Sequence, residues 1–316
     1  MRSLLGALLV VLSGPFADAA DTPRACPPEA RLPTPDQIAE GTKGARDRGF
    51  LWRITRDERT SYLYGTIHVG RLEWLFPGPE VLAAVRSSDV VALELDVLDS
   101  EVNRRLRAGM VAKDGQSLPA PLRARLLAQV KAACLGEELL STMSPVMVAT
   151  TLTMMAGRND GLDPAYAVDP VYATMARGLG KPVVSLESPE LQLGLLLGGT
   201  REEVEAAVDG ALEDLERGEA APLVGRIASM WANGQLGELE NYEKWCGCMD
   251  TEANRRTMRL LLDERNPGLA AGIDSMHRSG KRVFGAVGSL HMIGPRGLPA
   301  LLSELGYRVE RVNFKP

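Results

Sequence analysis

Two short phrases in this chain put the same reactive group in the same setting. Residues Gly65–Gly70 read GTIHVG and Gly288–Gly294 read GSLHMIG. Each has Gly, a small hydroxyl residue, a branched aliphatic, His, an apolar residue and a further Gly. Only three histidines occur in the whole chain, and His68 and His291 are two of them. An imidazole can exchange a proton near neutral pH or ligate a metal. Two acids qualify as partners. Glu94 interrupts the apolar run VVALELDV, and Glu187 follows Val183–Leu186. Two histidines with one or two carboxylates recur as a ligand set for zinc, manganese or iron. A metal so held would acidify a bound water and polarise a carbonyl, leaving the spare carboxylate to act as general base. Without metal, a carboxylate beside an imidazole raises its basicity and orients the ring, which serves acid–base hydrolysis. The competing reading makes each His and each Glu a hydrogen-bonded structural residue at a strand end.

These side chains lie far apart in sequence, so a sheet must gather them. FLWRIT, the polar turn RDER and SYLYGTIH read as a hairpin whose second strand runs into His68. PEVLAAVRSSD forms a helix of about two turns, and SDVVALELDV is an apolar run of the kind covered on both faces of a sheet. From about residue 100 to 163 the texture is helical, with apolar spacing over Leu118–Leu127 and Ser144–Met155. Met143, Met147, Met154 and Met155 read as core of these helices. Asp169 is placed to cap a helix opened by Pro170, and Val183–Leu186 is the next strand. A second helical stretch runs from about 189 to 263 and contains TREE, a capping-box pattern. Asn266 is placed as the cap before Pro267, and RVFGAVGSLH is a buried strand ending at His291. The helix LPALLSEL and the strand YRVERVNF close the chain. The expectation is an α/β fold with a largely parallel central sheet built from the N- and C-terminal portions. A helix-rich middle is inserted at about 100–163 and 189–263, with residues 49–316 forming one domain. In such sheets ligands collect beyond the carboxyl ends of parallel strands, where His68, Glu94, Glu187 and His291 would meet. Gly65 and Gly288 would allow close backbone approach, and Thr66 and Ser289 would steady the turns. His277, beside Arg278 and Lys281, is expected at the surface.

Composition narrows the partners. The 316 residues carry a formal net charge of −5 and are 45% apolar. No dense basic stretch is present, which argues against nucleic acid. Residues 1–20 resemble a signal peptide: Arg2, an apolar core, then small residues at a cleavage site. The next segment, 21–48, is Pro-rich. No later apolar run reaches the length of a membrane helix, so a periplasmic or secreted protein without a stable span is expected. There are four cysteines, at 26, 134, 246 and 248. Cys246 and Cys248 stand too close for easy mutual bonding. One is therefore expected to pair with Cys134 and the other with Cys26, a thiolate metal site being the alternative.

Several stretches together resemble one family: GTIHVG, ALELD, GKPVVSLES followed by Gln192, ERN at Glu264–Asn266, and AVGSLHMIGPRGLPALLSELGYRVERV. The combination, from about Gly49 to Val312, is similar to the TraB/GumN family, which takes in the Tiki proteins that act on Wnt. The resemblance implies an α/β core shared with erythromycin-esterase-like and ChaN-like proteins, in which paired G-x-x-H motifs and an acid line one cleft. It further implies, from the Tiki proteins, a metal-dependent peptidase. Carried over by position, His68 and His291 become metal or catalytic histidines, with Glu94 and Glu187 as metal-ligating or catalytic acids. Arg265 is a candidate to clamp a substrate carbonyl or carboxylate, or else a structural ion pair. The expected cofactor is Mn²⁺ or Zn²⁺, with Co²⁺ also admitted. The expected substrate is a peptide or a small ester or amide. A non-catalytic haem- or metal-binding protein and a metal-free His/Glu hydrolase are the alternatives. The sequence sets no oligomeric state.

Overall fold

Asp57 and Glu58 both adopt positive φ, 51° and 59°. That left-handed pair makes a tight turn whose twist matches two antiparallel strands. It joins β1 (Phe50–Arg56) to β2 (Arg59–Thr66), paired from Phe50 opposite Gly65 to Arg56 opposite Arg59. This computed structural model describes residues 26–111, 117–197 and 200–314; the signal-like segment 1–20 lies outside them.

The remaining strands are β3 (Val90–Leu93), β4 (Val183–Ser185), β5 (Val283–Gly288) and β6 (Arg308–Val312). Their order is β4-β3-β5-β2-β1-β6. The pairs β4–β3, β3–β5 and β5–β2 are parallel, while β2–β1 and β1–β6 are antiparallel. The sheet is thus largely parallel, as expected, with an antiparallel margin. All six residues of β5 and all four of β3 are buried, as central strands covered on both faces must be. Aromatics fill the space beneath: Tyr64 packs edge-on to Tyr172 and stacks with Phe284.

The helix-rich middle is also observed. It fills the connections β3–β4 and β4–β5, with helices that include Ser100–Met110, Ala120–Ala132, Pro145–Met155, Arg201–Glu216 and Ala220–Ala232. The predicted capping box at Thr200 and Glu203 is present. Part of this middle builds its own core, in which Leu126, Val130, Leu152, Val208 and Leu212 are buried. No helix among the described residues is long and apolar enough to cross a membrane.

Two features differ from those expected of the sequence. The disulfides are Cys26–Cys134 and Cys246–Cys248. Gly247 takes a φ of 66°, a left-handed bend that folds the chain back and brings the neighbouring Cα atoms to 5.0 Å. His277 is not at the surface but fully buried. Leu269, Ile273 and His277 follow one another at four-residue spacing along the inner face of the helix Asn266–Arg278. Both ring nitrogens are satisfied there. Ser61 Oγ lies 2.8 Å from Nδ1 and the Arg56 carbonyl 3.1 Å from Nε2.

Candidate active site

The register of the central strands decides where the two phrases meet. Thr66 pairs with Gly288 across β2 and β5, so both chains leave the sheet side by side at their carboxyl ends. After β5 a short 3₁₀ turn, Ser289–Met292, carries His291. Ser289 Oγ donates to the Thr66 carbonyl at 2.7 Å, and Thr66 Oγ1 donates to Asp169 Oδ1 at 2.7 Å. The two hydroxyls therefore fix these turns. β3 ends one residue before Glu94, which its parallel pairing with β5 brings alongside.

Gly288 is the point of convergence. A methyl group on its Cα would stand 3.1 Å from Glu94 Oε1, 3.3 Å from His68 Nε2 and 3.7 Å from His291 Cδ2. The main-chain N–H of Gly288 donates to Glu94 Oε1 at 2.7 Å, and His68 Nε2 lies 3.9 Å from the same oxygen. The other Glu94 oxygen accepts from Arg265 at 2.5 Å and from Gln192 at 3.2 Å.

Each imidazole has a partner behind it. His68 Nδ1 lies 3.0 Å from Asp169 Oδ2. His291 Nδ1 lies 2.6 Å from Asn266 Oδ1, and Asn266 Nδ2 donates to the Arg296 carbonyl at 2.8 Å. Because the Asn266 nitrogen is committed to Arg296, its oxygen must face the ring. His291 therefore carries its proton on Nδ1 and leaves Nε2 as an acceptor. Asp169 and Asn266 were expected to be helix caps, but neither side chain caps its helix. Each is an Asx residue just before a Pro at a helix start, and each turns its oxygen to a histidine. The local pattern was visible; the direction of the side chain depends on a strand more than a hundred residues away for Asp169.

Electrostatics separates the two rings. The Asp169 carboxylate pushes His68 up to about 9, with Glu94 adding to it. Burial pushes His291 down to about 4. Burial also opposes ionisation of Glu94, but His291, His68, Arg265 and the Gly288 N–H outweigh it and hold the carboxyl down to about 2. His68 is the accessible member, its side chain 53% exposed, whereas His291 is buried.

Glu187 sits differently from Glu94. Its side chain is 3% exposed. One oxygen accepts from Arg265 Nε at 2.9 Å, and the other from Arg265 Nη2 at 2.5 Å and Gln192 at 2.9 Å. It does not line the cavity above the cluster. Arg265 thus bridges two carboxylates, and its Nη1 donates to the Leu261 carbonyl at 3.0 Å. Leu261 belongs to a π-helical turn, Arg259–Asp263, a distortion frequent at functional sites.

Above these groups lies a cavity of about 530 Å³, within the usual range for small-molecule sites. His68, Glu94, Asp169, Gln192, Arg265, Gly288 and His291 border it at the strand ends. The helical middle supplies much of the wall, including Thr150, Met154, Leu196, Ile227 and Leu262. Met154 is therefore a wall residue as well as a core one.

Residues 50–311 match the TraB/PrgY/gumN family. The chain belongs to that family. No curated protein and no solved structure compared with it matches. In this TraB/PrgY/gumN member, no group of three or more His, Cys, Asp or Glu side chains among the described residues is arranged to hold a metal ion. The donor chemistry nevertheless suits a divalent cation. Two imidazoles are oriented through Nδ1 by an acceptor, as metal-binding histidines usually are, and Glu94 is the carboxylate beside them. Glu94 would have to approach the rings for three ligands to close.

Proposed function

We propose that this protein is an exported hydrolase of amide or ester bonds, peptides included, with its reacting centre over Gly288. The observation that carries this reading is the convergence of His68, Glu94 and His291 on one glycine Cα at the strand ends, beneath a cavity. The disulfide Cys26–Cys134 suits an oxidising compartment, and the signal-like residues 1–20 supply the route there.

The chain's own groups divide the work. His291 Nε2 presents a lone pair, because Asn266 holds the proton on Nδ1; it accepts a proton from the attacking water. His68, kept basic by Asp169, is the proton donor to the leaving nitrogen or oxygen. Glu94 stays ionised between them and steadies whichever ring is protonated. Arg265, Gln192 and the Gly288 N–H hold Glu94 in place, and Glu187 holds Arg265. Water's oxygen ends on the carbonyl carbon, the C–N or C–O bond breaks, and the proton leaves with the amine or alcohol. His68, His291 and Glu94 would hold Mn²⁺ or Zn²⁺, which when bound supplies an acidified water and a Lewis acid. The metal-free reading is favoured by one specific observation: Glu94 already has three hydrogen-bond partners in Gly288, Gln192 and Arg265.

The test is metal analysis of protein purified without a histidine tag, followed by a panel of peptide, anilide and ester substrates. Cleavage abolished by both His68→Ala and His291→Ala is expected. Loss of turnover on chelation, restored by Mn²⁺ or Zn²⁺, assigns the metal; turnover that persists assigns the acid–base pair. Variants as active as the parent would overturn the proposal. A haem absorbance band without turnover would replace the hydrolase by a haem-holding protein.

A further inference from the structure

We infer that the cavity above Gly288 is an acyl-chain pocket, and that the bond cleaved joins a fatty acyl carbonyl to an amine or alcohol. This rests on the hydrolase reading for the bond, but not for the pocket. The first observation is the separation of polar and apolar lining. Every charged residue lining the cavity, among the described residues, belongs to the cluster gathered around the strand ends: His68, Glu94 and His291, with Asp169 and Arg265 bonded to them from helix starts. The helical walls present Leu195, Leu196, Ile227, Met258, Leu261 and Leu262, with the Thr150 hydroxyl and the Gln192 amide, the latter spent on Glu94 and Glu187, as their polar groups. Trp231 also lines it, but its indole N–H is spent on the Gly65 carbonyl at 2.8 Å. The Leu261 carbonyl is likewise taken by Arg265.

The second observation is what those walls withhold. Their main-chain groups lie largely within helices and are bonded there. A peptide threaded along these walls would bring an N–H and a C=O at every residue, and the walls offer little besides the Thr150 hydroxyl to pair with those that lose water. An alkyl chain carries no such groups. At about 530 Å³ the chamber holds far more than one aliphatic side chain. The ligand that satisfies both facts has a single polar end at Gly288 and a long apolar remainder. In the reaction, water's oxygen adds to the acyl carbon, the acyl C–N or C–O bond breaks, one of water's protons goes to the leaving nitrogen or oxygen, and the products are the carboxylic acid and the free amine or alcohol.

The probes are straight-chain fatty acids of increasing length, with binding followed by tryptophan fluorescence, since Trp231 faces the chamber. Affinity is expected to tighten by roughly fourfold per added methylene and then level off once the chamber is full. A second carboxylate at the far end should abolish that gain. Ile227→Trp should move the levelling point to shorter chains; should that variant misfold, the wild-type series alone decides. Affinity independent of chain length would overturn the inference, as would cleavage of unacylated peptides in preference to acyl amides and esters. His68→Ala should lose turnover but keep the slope per methylene. A length-dependent slope with no turnover in any protein would leave the acyl pocket standing and remove the hydrolase; peptide cleavage with a flat slope would do the reverse.

Discussion

Gly288→Ala separates chemistry from folding more cleanly than any histidine substitution. The backbone at Gly288 has φ −49° and ψ 139°, which alanine adopts freely. Replacing glycine at such a position stabilises by about 0.4–1 kcal/mol through the unfolded chain. Against this, the new methyl would press on Glu94 Oε1 at 3.1 Å and His68 Nε2 at 3.3 Å, so both must yield by a few tenths of an ångström. The two effects nearly offset, and the melting temperature should move by no more than a few degrees. Activity should respond differently, because the methyl occupies the point on which three reactive groups converge. Displacing reacting groups by about 1 Å costs about 100-fold, so a shift of a few tenths of an ångström should cost about fivefold, equivalent to about 1 kcal/mol of barrier. The assay is kcat/KM on the best substrate of the panel, with a thermal melt on the same sample. Gly65→Ala is the control. Its methyl would meet Ser289 Oγ at 3.0 Å, Met292 Cγ at 3.2 Å and Phe50 Cδ2 at 3.3 Å, so it should lose stability first. Activity within threefold of the parent for Gly288→Ala, or a collapse of its melting temperature, would refute the placement of the chemistry over this residue.

Other perturbations follow from the same contacts. Arg265→Ala strips the cation from Glu94 and Glu187, whose side chains are 10% and 3% exposed; about 3–5 kcal/mol of stability should be lost in denaturant titration, and Arg265→Lys should recover only part of it. Burial lowers the His277 pKa below its unfolded value, so the unfolded chain binds the proton more readily. Its contribution is therefore complete above about pH 6.5 and is lost as pH falls through the lower folded value. Melts of His277→Gln should be less steep in that acid window than those of the parent. Replacing both Cys26 and Cys134 by serine opens a link with a sequence separation of 108 and should cost about 2–5 kcal/mol. The same change at Cys246 and Cys248, separated by 2, should cost far less in a melt.

Much of this architecture is legible from periodicity. The hairpin, the buried runs ending at Glu94 and His291, and the helical insertions all follow from local apolar patterns that tertiary packing reinforced. The mutual position of His68 and His291 was also legible, because two matching phrases at the ends of buried strands point to one edge of a sheet. The supporting residues were not. Asp169 and Asn266 carry strong local cap signals, and only the spatial neighbour shows that each turns to an imidazole instead. Glu94 and Glu187 look alike in sequence, yet one faces the cavity and the other is enclosed by Arg265 and Gln192. The charged neighbours of His277 point to the surface, while the four-residue stripe of Leu269, Ile273 and His277 buries it. The Cys246–Cys248 link was missed because spacing alone does not reveal the left-handed bend at Gly247.

The pairing of β2 with β5 has a consequence for timing. Ser289 reaches Thr66 across a sequence separation of 223, and β2 has no parallel neighbour until β5 exists. A ribosome or secretion channel that releases the chain from its amino end therefore delivers His68 long before the strand that completes its surroundings. Throughout that interval the cluster lacks both Gly288 and His291, so the site closes only when synthesis is nearly finished.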